Sequence, residues 1–188
     1  TQPSNPRQGD MYYNTADDLT YVYSGNNWAS ITNVFSATGG TESTSGNYKI
    51  HKFTSNGTFT VESGVKSAEV LIVAGGGGGG ADNAGGGGAG GLLYYGTETP
   101  KTPNGNSTLL TAGSYSIVIG AGGRGGIVSS GGSGSSDFSI SGSNSSAFGH
   151  TALGGGAGAC SEGGAGSPPG TAGGSGGGGN GNSDNTVP

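Results

Sequence analysis

The residues of this chain that could do chemistry are few and scattered. Gly120, Gly122 and Gly125 satisfy the G-x-G-x-x-G spacing of a dinucleotide loop, directly after a strand-like segment. In such a loop the glycines let the main chain approach a pyrophosphate at a helix N-terminus, and an acidic residue about 20 positions on takes the ribose. Here GIVSSGGSGSSDF follows instead, with no helical period, and a glycine-rich chain yields the spacing by chance. His51 and His150 are far apart and have no Cys or carboxylate at ligand spacing, so they do not read as a zinc site. Asp17 and Asp18 lack the alternating oxygen ligands of a calcium loop and read as part of a hairpin turn. Cys160 is alone, which excludes an intramolecular disulfide. Its nearest charge, Glu162, has the wrong sign to activate a thiol. Ser, Asp and His all occur, yet no nucleophile-elbow sequence does. The glycosylation sequons at Asn56, Asn106 and Asn144 are what Ser-rich sequence produces freely. No catalytic residue, metal site or cofactor is expected, and the chain reads as a non-enzyme.

The elements that would have to position any site are unusual in composition. Glycine supplies 47 of 188 residues, only 29% are hydrophobic and 9% charged, both well below the globular norm. Eight Tyr, five Phe and one Trp set the chain apart from ordinary disorder. The net charge of −5 is spread singly, with no basic stripe, so nucleic acid is not an expected partner. No apolar run approaches the ~18 residues of a membrane span, and no membrane insertion is expected.

Residues 1–35 read as a small β-hairpin module. MYYN and LTYVY are aromatic, β-branched runs parted by TADD, and WASIT could pair back as a third strand. Sheets this small are marginal alone, so Trp28 and the tyrosines are expected to pack on a neighbouring domain or another copy. Residues 36–48 read as a polar linker. From 49 to 188 the sequence alternates short strands with glycine runs. YKIHKF, GTFTV, LLYY and SYSIVI are strand candidates, and Leu71–Ile72–Val73 is a continuous apolar stretch, expected where both faces of a strand are covered. The opening TQPSNPRQGD has neither Met nor a signal pattern, and the last residues are of loop composition. The chain therefore reads as an interior fragment of a longer polypeptide or as a processed one, with the natural protein expected to continue beyond 188.

A glycine tract can be a tether, a backbone cradle or a rod. An extended threefold helix makes no internal hydrogen bonds, so its N–H and C=O groups must find partners outside it. When every residue is glycine, such helices can approach and bond laterally. The runs at 75–80 and 85–91 would each span roughly 20 Å at ~3.1 Å per residue, and ADNA between them is long enough for a reversal. Ordering glycine costs the most backbone entropy, so the flanking strands must anchor the runs. For 154–179 the sequence leaves open disorder or packing as further polyglycine helices.

Two resemblances rest on these residues. The strand of residues 69–74 running into GGGGGG, GGGGAGGL at 85–92, and SYSIVIGAGGRGG at 114–126 followed by GSSDFS resemble the glycine-rich domain of bacteriophage tail-fibre and related virion proteins, over residues 50–179. A similar strand-then-glycine organisation occurs in the glycine-rich domain of anaplastic lymphoma kinase. GDMYYNTADDLTYVYSGNNW at 9–28 resembles a short module of phage structural proteins.

The resemblance implies an all-β, β-sandwich-like domain with polyglycine II helices. It also implies a rigid, exposed virion appendage for host attachment, usually trimeric. The expected partners are copies of itself, other virion or filament proteins, and a host-surface glycan or protein. The loops that would do the recognising include Ala81, Asp82, Asn83 and Ala84, then Thr97, Glu98, Lys101 and Asn104, and a third loop over 161–171. The alternative is a capsid decoration or head-fibre protein, or an extracellular filament subunit.

Overall fold

The computed structural model of the chain describes residues 2–17, 19–31, 34–81, 84–98, 103–127, 138–160 and 168–179. Its regular elements among these residues are all strands, and the fold is all-β.

β1 (Met11–Asn14), β2 (Leu19–Tyr23) and β3 (Trp28–Ser30) form an antiparallel three-stranded sheet. The first turn is fixed by side chains that accept from the main chain, Asn14 from the Ala16 amide and Asp17 from that of Leu19. Pairing Tyr12 with Tyr21, and Tyr23 with Trp28, places all four rings on one face. Tyr12 stacks on Tyr21 at 5.3 Å and meets the Trp28 edge at 4.7 Å. Within the chain these rings pack on one another and stay partly exposed.

The stretch read as a linker contains β4 (Ser36–Thr38) and β5 (Thr41–Ser45). β5 pairs with β6 (Tyr48–Lys52) in a hairpin whose residues are exposed except His51. With both faces of TESTS in solvent, no apolar alternation marks it as a strand. The join from β4 to β5 requires glycine. Gly39 and Gly40 have φ of 122° and 66°, and a Cβ on either would strike the carbonyl of Thr58 or Lys52.

β7 (Gly57–Ser63) is flanked by β4 and by β12 (Gly113–Ile117). β8 (Lys66–Ala68) pairs with β11 (Thr108–Leu110), β9 (Val70–Val73) with β10 (Leu92–Tyr95), and β13 (Ser145–Ala147) with β14 (His150–Ala152). Alternation along these strands sends Phe59, Val61, Val70, Ile72, Leu110 and Ile117 into one core. β9 departs from expectation, because only its Val70 and Ile72 face is covered. Leu71 and Val73 remain 61% and 54% exposed, so its continuous apolar sequence does not mean burial on both sides.

Candidate functional site

The glycine runs leave the strands as extended segments, and none of their glycines has a positive φ. Six segments pack together, covering 74–80, 85–91, 120–126, 138–144, 153–160 and 173–179. Their hydrogen bonds advance in steps of three. In segment 74–80, the amides of Ala74, Gly77 and Gly80 donate to the carbonyls of Gly91, Gly88 and Gly85 in the second segment. Gly75 and Gly78 donate to Ser143 and Ile140 in the fourth, while the carbonyls of Gly76 and Gly79 accept from Gly123 and Gly126 in the third. Gly75 and Gly78 also accept from Gly155 and Gly158 in the fifth. A period of three in bonding direction is the signature of a threefold extended helix bonded laterally.

The pattern of neighbours fixes the arrangement. Segment 74–80 bonds to four others, and so does 153–160, whose four include 173–179 through Gly156 to Ser175 and Ala159 to Gly178. The bonds place 120–126, 74–80 and 85–91 in one layer, and 138–144, 153–160 and 173–179 in a second, offset layer. Residues 154–160 are buried without interruption, including Cys160. Here the interior of the protein is main chain.

Position in the three-residue cycle decides which residue type is allowed. A Cβ on Gly75 or Gly78 would overlap the carbonyls of Ala121 and Arg124, and one on Gly77 or Gly80 those of Gly156 and Ala159. At Gly76 and Gly79 nothing lies nearer than 3.7 Å, and at Gly86 nothing lies within 4 Å. Ala89 follows Gly86 by one cycle and is exposed as its place requires.

The candidate recognition residues fall at opposite ends of this body. Ala81 and Ala84 are at the turn between segments 74–80 and 85–91, at the end away from β9, and both are partly buried. Asp82, Asn83 and Lys101 lie outside the described residues, as do Asp18 and most of the loop over 161–171. Thr97, Glu98 and Asn104 lie beyond β10, at the far end of the sheet.

That second loop is tied down by Glu69 and Tyr94, which were not singled out in the sequence. The Tyr94 hydroxyl donates to Glu69 at 3.0 Å and accepts from the Glu98 amide at 3.0 Å, while the amide and hydroxyl of Thr97 both donate to Glu69 at 3.3 Å. Burial pushes the Tyr94 phenol above its ordinary pKa, the Glu98 amide opposes this, and the Glu69 carboxylate adds to it. Asn104 closes the loop by accepting from the Tyr94 amide and donating its own amide to the Tyr94 carbonyl. A buried Tyr within β10 and a Glu just ahead of β9 carry no sequence motif that could have flagged them.

The histidines serve packing. His51 Nδ1 donates to the Gly39 carbonyl at 2.9 Å and its ring meets the edge of Phe59, while His150 stacks on Tyr95 at 3.6 Å. Gly120, Gly122 and Gly125 belong to a threefold segment whose carbonyls and amides bond to its neighbours. Among the described residues no three metal-ligating side chains group together, and no helix is long and apolar enough to cross a membrane.

A family profile described as a glycine-rich domain matches residues 53–188. No curated protein and no solved structure matches the chain.

Proposed function

The chain belongs to the glycine-rich domain family, and from that premise we propose that it is a non-enzymatic segment of a bacteriophage tail fibre or similar virion appendage. Its work is mechanical, namely a stiff β/polyglycine body that holds short loops away from the particle for attachment to a host surface. The observation that carries this reading is the uninterrupted burial of residues 154–160 inside laterally bonded threefold segments. A tether needs no such bonding, and a backbone cradle for a small ligand would leave inward-facing amides unused. The likeness of the strand-then-glycine pattern to virion proteins supports the setting. Loops at both ends, one held by the Glu69–Tyr94 network, suit a body that is joined at one end and makes contact at the other.

Immunogold labelling of intact phage particles with antibody to this chain tests the assignment. Label confined to a tail appendage is the expected result. Label distributed over the capsid would replace this reading with a decoration role, and label on cell-surface filaments with a filament subunit.

A further inference from the structure

Two Asn-Gly steps occur among the described residues, Asn56–Gly57 ahead of β7 and Asn104–Gly105 between β10 and β11. Both asparagines are exposed, and both side chains are held by the same kind of bond. Asn104 Oδ1 accepts from the Tyr94 amide at 2.8 Å, and Asn56 Oδ1 accepts from the Ile119 amide at 2.8 Å. The glycines that follow them differ. Gly57 is the first residue of β7 and pairs with Ile117 of β12. Gly105 lies outside the strands, and its amide donates to nothing among the described residues, although its carbonyl accepts from Gly96 at 3.1 Å. Glycine is also required there. A Cβ on residue 105 would come within 2.9 Å of the Tyr95 ring, which is held by its stacking on His150. The loop geometry thus fixes both members of the step, the asparagine by its bonds to Tyr94 and the glycine by the ring beside it.

We infer that Asn104 is a site of spontaneous covalent modification, passing through a succinimide to aspartate and isoaspartate. The unengaged Gly105 nitrogen gives its proton to solvent hydroxide and bonds to Asn104 Cγ, one residue away in the chain. The Tyr94 amide, already aimed at Oδ1, stabilises the negative charge that gathers on that oxygen. The Cγ–Nδ2 bond then breaks, and Nδ2 takes a proton from water and leaves as ammonia. Water next opens the five-membered ring. Attack at Cγ restores the ordinary main chain with aspartate at position 104. Attack at the main-chain carbonyl carbon routes the chain through Cγ instead and leaves isoaspartate. Nothing is oxidised or reduced, and water with its hydroxide is the only co-reactant. Either product places a new carboxylate in the loop that Glu69 and Tyr94 tie down. The isoaspartyl form also inserts a methylene ahead of Gly105, which draws its carbonyl off the Gly96 amide. The step therefore loosens, in one direction and with time, the loop that carries Thr97 and Glu98. It goes beyond the appendage reading and does not depend on it.

Incubating the full chain at mildly alkaline pH tests this, with peptide mapping that separates amide, aspartyl and isoaspartyl forms over time. In the folded protein Asn104 should convert at least about tenfold faster than Asn56, because Gly57 must first leave its strand. In concentrated urea the two steps should convert at equal rates, since the dipeptides are identical. NMR hydrogen exchange of the isolated isoaspartyl form should show faster exchange at Gly96, while Gly77 in the bundle stays slow. An Asn104 that stays an amide, or that converts no faster than Asn56 in the folded chain, overturns the inference. So does a difference between the two sites that survives unfolding, because it would then owe nothing to the fold. An isoaspartyl form whose Gly96 amide exchanges as in the parent would overturn the loosening of the loop.

Discussion

The carbonyl oxygen of Gly156 occupies the place that a side chain on residue 77 would need. Gly88 is in the same position relative to the Ser175 carbonyl. In both cases the obstacle is backbone, held by its own hydrogen bonds, and it cannot swing aside as a side-chain tip could. Gly77→Val and Gly88→Val are therefore expected to destabilise the protein by about 1–3 kcal/mol or more. Gly86→Ala, with open space and no positive φ, should be neutral or add about 0.4–1 kcal/mol by restricting the unfolded chain. Thermal or denaturant melting of the three variants checks this. Equal effects at Gly77 and Gly86 would refute the threefold packing.

Amide hydrogen exchange should follow the same cycle. Gly77, Gly78 and Gly80 donate to neighbouring segments, whereas Gly76 and Gly79 do not. The first three should exchange slowly and the other two quickly, within one run of identical residues, as resolved by NMR. Uniform exchange at the unstructured rate would mean that the run is a tether.

The exposed β5–β6 hairpin offers a separate test through pH. Lys49 bonds to Glu42 at 2.9 Å and lowers its carboxyl pKa, with His51 contributing weakly. A carboxyl depressed on folding adds stability above its unfolded pKa of about 4.3 and loses that contribution as pH falls through the folded value. Lys49→Met should raise the Glu42 pKa toward the ordinary one, and salt should do the same in the parent. An NMR titration of the Glu42 carboxyl carbon that is identical in parent and variant would sink the pairing.

Much of this architecture can be read from the residues, and the exceptions have physical causes. Strands rich in β-branched and aromatic residues announce themselves, as in β7, where Phe59 and Val61 alternate with threonines. The glycine runs could be measured for length but not for neighbours, because every partner is the same residue type and bonding directions depend on the whole bundle. β5 stayed hidden because polar Thr and Ser on both faces look like a linker until a partner strand is known. Leu71 and Val73 misled in the opposite sense, since an apolar sequence reports what could be covered and not what is. The proposed recognition loops were legible only as gaps between runs. Glu69, which anchors one of them, is a lone acidic residue at the head of a strand.

An interior built from main chain changes what insertions and deletions do to the molecule. Side-chain cores tolerate a shifted residue if volumes can be rearranged, but the segment over 153–160 has almost nothing to rearrange. Adding or removing one or two residues within a segment would rotate every later amide toward the wrong neighbour. Three residues restore the rotation and displace the ends by one turn. Body length can therefore change only in whole turns, with adjoining segments altered together, while the connecting loops remain free to vary residue by residue.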